Sequence, residues 1–404
     1  MRVRPLAWQL PVVAALAGVW SAAGFFLWQS RVPSSLTLPS LDPGASFSAH
    51  VLSRTAHFER FLELSWVGQQ VLLVAVFAAY AIWGARFMRE SAAGRIGTGI
   101  FLAMMGFALT WFVQVPFEIL DNWWERRYGV SNLSYVSVVL GGWLSLGFTF
   151  LTLSVAVAIV MAIAGKLKQL WWVAAVPVFV AIALLQTFVG PYLVGGHPLR
   201  DDDPVLAAAA RRIEHEEGLS GIPVDVLDVH SYTPEENAFS AGLGPSRKVV
   251  VYDTLLTGGL NERQLETVLA HEFGHQARYH LWKELGWYAL FAFPEAFLVA
   301  FATRRRGGLF RPESIPVALL VVVLFNLAAL PLQNVITRHY EAEADWMSLQ
   351  TTRDPTAFAA VMRHFGTHDL SNPNPPTWSY ILFADHPTLI QRIAMAKAWT
   401  ARNR

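Results

Sequence analysis

Seven long apolar segments constrain the fold of this 404-residue chain more than any other feature of its sequence. Each approaches the roughly 20 residues with few charges that a helix needs to cross a bilayer. Hydrocarbon cannot satisfy open backbone groups, so a segment that spans a membrane must be helical. The sequence therefore predicts an integral membrane protein with seven helical spans, at about residues 7–28, 63–85, 98–117, 138–164, 169–195, 285–303 and 314–336.

The composition excludes several other classes of protein. With 54% hydrophobic and 15% charged residues, the chain is too apolar for a water-soluble monomer. Its net charge of +1 gives no general attraction to nucleic acid, and we expect no nucleic-acid partner. Cysteine is absent, so any metal must be held by His, Asp or Glu.

The first apolar segment has a second interpretation. Arg2 and Arg4 precede it and small residues follow at Ser21, Ala22 and Ala23, a pattern that also fits a cleaved signal peptide. At roughly 22 residues the segment is long for a signal peptide. We favour a retained span, and without it the chain would have six.

Two polar regions interrupt the apolar segments and predict the domain organisation. We expect helices 1–5 in 1–196, a polar folded region with the segment HEFGH in 197–283, helices 6 and 7 in 284–336, and a C-terminal helical part of the same region in 337–404. Three short strands are predicted at 224–230, 237–242 and 247–253, separated by turn residues. Helix starts are predicted at Asp203-Pro204, at Asn261 with Gln264 in capping-box position, at Asp354-Pro355 and at His386-Pro387.

The motif HEFGH at 271–275 carries the clearest chemical signal, on a helix expected to run from Asn261 to about His280. His271 and His275 are four residues apart, so both imidazoles reach one cation from one helix face. Glu272 is placed to take a proton from a water bound to that cation. This is the arrangement of a zinc peptidase.

A third zinc ligand is predicted in the segment TRHYEAEAD, 337–345, on a helix that continues out of the last span. Glu341 and Asp345 lie one turn apart on one face. We expect Glu341 to be the ligand and Asp345 to orient a ligating histidine. Glu343 points to the opposite side and is expected to be solvated.

These residues resemble the gluzincin peptidases and, more closely, the CAAX prenyl protease 1 family. The similarity extends to ENAFSAGLG (236–244), KVVVYDTLL (248–256), DHPTLIQRI (385–393) and, loosely, NWWERRYGVSNLS (122–134). The fold that this implies is mostly α: a seven-helix membrane protein with a zincin-like α+β region, in which an HExxH helix packs near a small β-sheet. The spans of such a protein enclose a wide, water-filled chamber.

The resemblance also implies roles for single residues. It agrees that His271, His275 and Glu341 ligate zinc and that Glu272 is the general base. His386 and Arg392 match residues that stabilise the tetrahedral intermediate. Asn237 matches a residue beside the strand that receives substrate, so we expect an extended peptide to pair with the strand that carries Ala238 and Phe239.

The predicted function is therefore that of a membrane zinc metalloendopeptidase with one Zn²⁺ per chain. Its partners would be the lipid bilayer and a peptide or protein substrate, with or without an attached lipid. One alternative is a membrane quality-control metalloprotease of the heat-shock-induced bacterial type. An alternative from another class is an inactive transporter or scaffold with a metal site, but such a protein has no need of Glu272.

The distribution of basic residues predicts the orientation. Arginine makes up 26 of the 31 basic residues, which fits a bacterial protein and hence the bacterial cell membrane. If the N-terminus is cytoplasmic, eleven basic residues of the short segments lie inside and five outside, which favours an extracytoplasmic peptidase region. The eleven are Arg2, Arg4, Arg86, Arg89, Arg95, Lys166, Lys168, Arg304, Arg305, Arg306 and Arg311.

Overall fold

The structure is a computed structural model that describes residues 9–84 and 94–403. Four of the basic residues in the orientation count, Arg2, Arg4, Arg86 and Arg89, lie outside these ranges, as does the beginning of the first apolar segment. The described chain is mostly helical, with one small mixed sheet.

Seven helices of 19 residues or more dominate the described chain, and each overlaps one predicted apolar segment. They are α1 (Gln9–Leu27), α2 (Ala49–Trp83), α3 (Gly94–Tyr128), α4 (Tyr135–Leu167), α5 (Trp171–Leu193), α10 (His280–Thr303) and α11 (Ile315–Thr352). Six of them, all but α1, are long and apolar enough to cross a membrane. The chain is therefore an integral membrane protein.

Helix α1 contains a shorter apolar stretch, Ala17–Leu27, and packs against α10. The rings of Trp20 and Trp287 meet edge to face at 6.2 Å, and Trp20 Nε1 donates to the carbonyl oxygen of Leu290 at 3.3 Å. These contacts hold α1 beside the beginning of α10.

Several long helices extend beyond their apolar segments because polar residues cap and continue them. Ser48 caps α2 by accepting a hydrogen bond from Val51 N, which starts that helix well before its apolar part. Helix α11 continues out of the membrane segment to Thr352, as the sequence predicts. This continuous helix carries Glu341 and Asp345 toward the polar region.

Seven shorter helices build the polar regions. They are α6 (Leu199–Asp202), α7 (Pro204–Glu216), α8 (Asp253–Thr257), α9 (Glu262–Ala277), α12 (Pro355–His368), α13 (Thr377–Leu382) and α14 (Leu389–Arg402). The predicted caps at Asp203, Asn261 and Asp354 are confirmed, and the capping box of Asn261 with Gln264 is complete.

Two predicted helix boundaries are wrong. Helix α9 ends at Ala277 rather than near His280, because Tyr279 adopts the left-handed conformation and turns the chain into α10. Helix α14 begins at Leu389 rather than at His386-Pro387. Thr388 caps it by accepting from Gln391 N, and Gln391 completes a capping box.

The sheet contains four strands in the order β1-β2-β4-β3. They are β1 (His197–Pro198), β2 (Val224–Leu227), β3 (Ala238–Ala241) and β4 (Lys248–Tyr252). Strand β2 pairs parallel to β4, and β3 pairs antiparallel to it with Ala238 opposite Val251. The three predicted strands are confirmed, and β3 lies at an edge of the sheet.

A hydrophobic core joins the sheet to the helices of both polar regions. Val249 of β4, Phe273 of α9 and Leu349 of α11 are fully buried in the same cluster, together with residues of α12 and α14. Burying a side chain such as Phe273 contributes about 1.5–3 kcal/mol. This packing fixes α9 against α11 and so sets the distance between their polar residues.

Candidate metal centre and active site

Helix α9 presents His271 and His275 side by side. Their Nε2 atoms are 3.1 Å apart, as expected for two imidazoles on one face of a helix that point to a common centre. Both side chains are largely buried, with about a tenth of their surface exposed. The two nitrogens therefore converge in a site that is mostly shielded from water.

Helix α11 adds Glu341 to this pair. Its Oε2 lies 3.1 Å from His271 Nε2, and its Oε1 lies 3.5 Å from His275 Nε2. Ligand atoms that stand about 2.0–2.2 Å from a tetrahedral zinc ion are about 3.3 Å apart. The three side chains thus fit a zinc ion, in both donor type and spacing.

Asp345 lies one turn after Glu341 and is fully buried. Its Oδ1 is 3.0 Å from His271 Nδ1, although the angle departs from that of a straight hydrogen bond. Burial acts to lower the pKa of His271, but attraction to Asp345 and Glu341 outweighs it and raises that pKa above its usual value. Asp345 is therefore placed to hold the ring of His271.

Arg392 of α14 makes a bidentate contact with Asp345. Its Nε donates to Oδ2 at 2.8 Å, and its Nη2 donates to Oδ1 at 2.6 Å. The guanidinium thus balances the buried carboxylate and fixes its direction. Arg392 contacts Asp345, which in turn lies next to His271, a candidate metal ligand. The predicted role of Arg392 toward the tetrahedral intermediate stays a prediction.

The other nitrogen of His275 faces a second buried network, in which Glu343 is the centre. His275 Nδ1 lies 3.0 Å from His280 Nδ1, and His280 Nε2 lies 3.1 Å from Glu343 Oε2. Both His280 and Glu343 are fully buried. The prediction that Glu343 is solvated is therefore wrong.

The error over Glu343 has a physical reason. Helical phase correctly places Glu343 on the face opposite Glu341, but that face is covered by residues that follow α9 and by the chain after α1. Glu343 accepts hydrogen bonds from Arg278 Nε at 2.7 Å, Lys283 Nζ at 3.1 Å and the backbone N of Arg31 at 2.8 Å. The basic residues at 278 and 283 are the sequence signal that could have indicated a buried carboxylate.

Glu272 follows His271 on α9, and its side chain is buried. Its carbonyl oxygen accepts a hydrogen bond from Ser240 Oγ at 2.5 Å, and Gln276 Nε2 donates to the carbonyl oxygen of Ala241 at 3.1 Å. These two bonds tie the edge strand β3 to the helix that carries the histidines. An extended chain paired with β3 would lie next to the metal centre.

The pairing of β3 leaves particular backbone groups free to accept such a chain. The carbonyl oxygen of Asn237 accepts from Tyr252 N at 2.9 Å. Because backbone groups alternate along an antiparallel strand, those of Phe239 and Ala241 also point toward β4. Ala238 and Ser240 then direct their backbone groups away from β4. The side chain of Asn237 is bound locally: its Nδ2 donates to Glu235 Oε1, and its Oδ1 accepts from Ala238 N. The outward groups left to pair with a chain are therefore the carbonyl oxygen of Ala238 and the N–H and carbonyl oxygen of Ser240.

His386 lies in the loop before α14 and reaches the metal centre. Its Nε2 is 2.9 Å from Glu341 Oε2, and its Nδ1 is 2.8 Å from Asp385 Oδ1. Nearly half of the side chain is exposed. Partial burial acts to lower the pKa of His386, but the carboxylates of Glu341 and Asp385 outweigh this and raise it.

Two adjoining cavities border the site. One of about 220 Å³ is lined by His275, Gln276 and Tyr279. The other, of about 610 Å³, is apolar and is lined by side chains of α5 such as Leu185 and Phe188. Leu243, Gly244 and Trp282 border both, so the apolar cavity adjoins the smaller cavity that His275 lines.

Comparison with known proteins agrees with this geometry. The model of a family described as peptidase family M48 matches residues 205–400. The chain is 22% identical to an uncharacterized metalloprotease, YhfN, of Bacillus subtilis, over 74% of each chain. It is 30% identical to a protease HtpX homologue of Ralstonia pickettii, over 46% of this chain and 71% of that one.

The predicted resemblance to the CAAX prenyl protease 1 family is confirmed. A CAAX prenyl protease 1 homologue of Arabidopsis thaliana is 23% identical over 72% of each chain. The fold matches the crystal structure of Ste24p from S. mikatae with a TM-score of 0.73 and 16% identity, over 97% of this chain and 99% of that one. The overall fold is therefore that of Ste24p.

Proposed function

Because this chain belongs to peptidase family M48, it is a membrane metallopeptidase, and we propose that His271, His275 and Glu341 hold its catalytic zinc ion. The observation that carries this proposal is the convergence of their ligand atoms, 3.1–3.5 Å apart, in a buried site. The core that includes residues of both 197–283 and 337–404 supports treating these segments as one peptidase region.

A zinc ion at this centre would polarise the substrate carbonyl and make a water molecule more acidic. Glu272 takes the proton from the attacking water and returns it to the nitrogen of the leaving amine. His386, exposed on one side, donates to the carbonyl oxygen as negative charge develops. Arg392 and Asp345 hold His271 in place, while Glu343 and His280 do so for His275.

The substrate in this proposal is an extended peptide that pairs with β3. The outward carbonyl oxygen of Ala238 and the outward N–H and carbonyl oxygen of Ser240 bind the main chain of the peptide, which makes recognition near the scissile bond largely independent of side chains. Asn237 positions the beginning of the strand, and Phe239 faces β4. This supports an endopeptidase with loose side-chain selectivity.

The apolar cavity that adjoins the smaller cavity at His275 supports a substrate that carries a large apolar group or a lipid. Burial of such a group against Leu185, Phe188 and Trp282 would add affinity without a contact to the scissile bond. A peptide with an isoprenyl group should therefore have a lower KM than the same peptide without it. Equal KM values would contradict a role for this cavity.

The ends of the long helices support an extracytoplasmic site. The beginning of α10 borders the metal centre, whereas its other end leads into the exposed turn Arg304–Arg306. Arg95, at the start of α3, lies over the ring of Phe310 and so belongs to the same basic end. Lys and Arg near the ends of membrane spans are more frequent on the cytoplasmic side. This end of the helices would therefore face the cytoplasm, which we take to be that of a bacterial cell.

The absence of cysteine allows a clean test of this orientation. Ser231→Cys lies in an exposed loop of the peptidase region, and Arg305→Cys lies at the basic end. An impermeant maleimide applied to intact cells should label the first variant, and label the second only after permeabilisation. The opposite pattern would place the active site in the cytoplasm.

Hydrolysis itself is tested with the purified full chain in detergent and a set of internally quenched peptides. A chelator should abolish cleavage, and added Zn²⁺ should restore it. Mass spectrometry of the products identifies the cleaved bonds. Turnover that continues after complete removal of metal would refute the proposed function.

A further inference from the structure

A second group of potential metal ligands lies away from the catalytic centre. Glu236 lies two residues before β3, next to Asn237, while His364 and His368 lie one turn apart near the end of α12. One ligand atom from each of the three side chains lies within 4.8 Å of the others. None of these residues belongs to the site described above.

We propose that Glu236, His364 and His368 form a second binding site for a divalent transition-metal ion such as Zn²⁺. Two imidazoles and a carboxylate are the donors that zinc accepts in proteins. The i and i+4 spacing of the histidines is that of the pair in the HEFGH motif. Their rings are stacked, with centroids 4.0 Å apart, so the two side chains lie together on one side of α12, and a rotation of one ring is needed for both to direct a nitrogen at the same ion.

The distances within this group require little adjustment to enclose an ion. Glu236 Oε2 lies 2.6 Å from His364 Nε2, and Glu236 Oε1 lies 3.7 Å from His368 Nδ1. These values bracket the separation of about 3.3 Å between ligand atoms of a tetrahedral zinc ion. The His368 side chain is 55% exposed, which gives an ion and its remaining water ligands access from solvent.

The charge of Glu236 also favours a cation. Its carboxylate is almost completely buried, and its ion-pair contacts with other described residues are to these two histidines alone. Asp369 lies close by as well, because its Oδ1 accepts from the backbone N of Glu236 at 3.3 Å. A buried carboxylate next to another one, without Lys or Arg, is costly unless a proton or a metal ion compensates its charge.

An ion at this site would join α12 to the beginning of β3. Tyr252 N is hydrogen-bonded to Asn237 O, one residue after Glu236, so the ion would fix the point at which β3 enters the sheet. The expectation that this also strengthens peptide binding rests on the proposed function of β3. Ion binding itself does not depend on that function.

The test is a count of bound zinc in five forms of the purified full chain. After equilibrium dialysis in zinc-buffered detergent solution, inductively coupled plasma mass spectrometry should find two zinc ions per wild-type chain. His368→Ala should retain one, Glu341→Ala should retain one, and the double variant none. His215→Ala, which removes an exposed histidine of α7, should retain both and serves as the matched control.

The outcomes separate the two sites. If His368→Ala binds as much zinc as the wild type, or Glu341→Ala binds none, the second site is refuted. If Glu341→Ala does not reduce the count while His368→Ala does, the proposed catalytic centre fails instead.

Glu236→Gln is a second variant that should stay folded even if an alanine variant does not, because the amide keeps the shape of the side chain and a hydrogen bond to His364. In the Glu341→Ala background, it should weaken zinc binding by at least about 10-fold. Unchanged affinity would also refute the site.

Discussion

Replacing Glu343 by alanine is expected to destabilise the protein strongly. The fully buried carboxylate accepts hydrogen bonds from Arg278, Lys283 and the backbone of Arg31, and it contacts His280. Its removal leaves the partly buried cations of Arg278 and Lys283 without a counter-charge, a change that costs up to about 3–5 kcal/mol, the value for a fully buried pair. Because Glu343 lies on α11 between Glu341 and Asp345, the loss should also loosen the metal centre.

The assay is guanidinium unfolding in detergent, followed by tryptophan fluorescence. The matched control is Glu266→Ala, which breaks an ion pair of 2.7 Å with Arg212, whose side chain is 57% exposed. Such a surface pair contributes up to about 1 kcal/mol. If the free energy of unfolding falls no further in Glu343→Ala than in this control, the network does not stabilise the fold as argued.

A second readout connects Glu343 to the metal. Through His280, Glu343 holds the Nδ1 side of His275, and loss of such a contact typically weakens metal binding by about 10–100-fold. Zinc affinity should therefore fall in Glu343→Ala and stay unchanged in Glu266→Ala. Equal affinity in both variants would show that His275 needs no support from this side.

Three further variants test the site. Asp345→Asn should weaken zinc binding by about 10–100-fold, measured by competition with a chelator, because it breaks the ion pair with Arg392 and removes the charge beside His271; unchanged affinity would contradict this. His386→Ala should lower kcat by about 10²–10³ at full zinc content, since a donor to the developing oxyanion is lost; a change in KM alone would contradict that role. Asn237→Ala should slow cleavage of varied peptides by similar factors at full zinc content, and a selective loss of one peptide would indicate a side-chain pocket instead.

The sequence predicts those parts of the fold that depend on local pattern. Apolar length indicates the spans, and the residues at Asp203, Asn261 and Asp354 indicate helix starts, because these signals act within a few residues. The spacing of His271 and His275 is equally local. The helix starts and this spacing are present in the structure, and six of the seven predicted spans are long and apolar enough to cross a membrane in the described residues.

The remaining features depend on contacts between distant segments. Helical phase gives the side of α11 on which Glu343 lies, but not the packing of Arg278, Lys283 and the chain at Arg31 against that side. Glu236 and His364 are 128 residues apart, and only the contact of α12 with the sheet region brings them together. Strand β1 has two residues, too few for an alternating pattern.

The central claim is that His271, His275 and Glu341 hold the metal while Glu272 acts on water, and one paired measurement tests it most directly. Zinc content and peptide hydrolysis are measured in parallel for Glu272→Gln and Glu341→Ala. Both variants should lose hydrolysis, but Glu272→Gln should keep the zinc content of the wild type whereas Glu341→Ala should have one zinc ion fewer per chain. Wild-type turnover in Glu272→Gln, or wild-type zinc content in Glu341→Ala, would contradict the account.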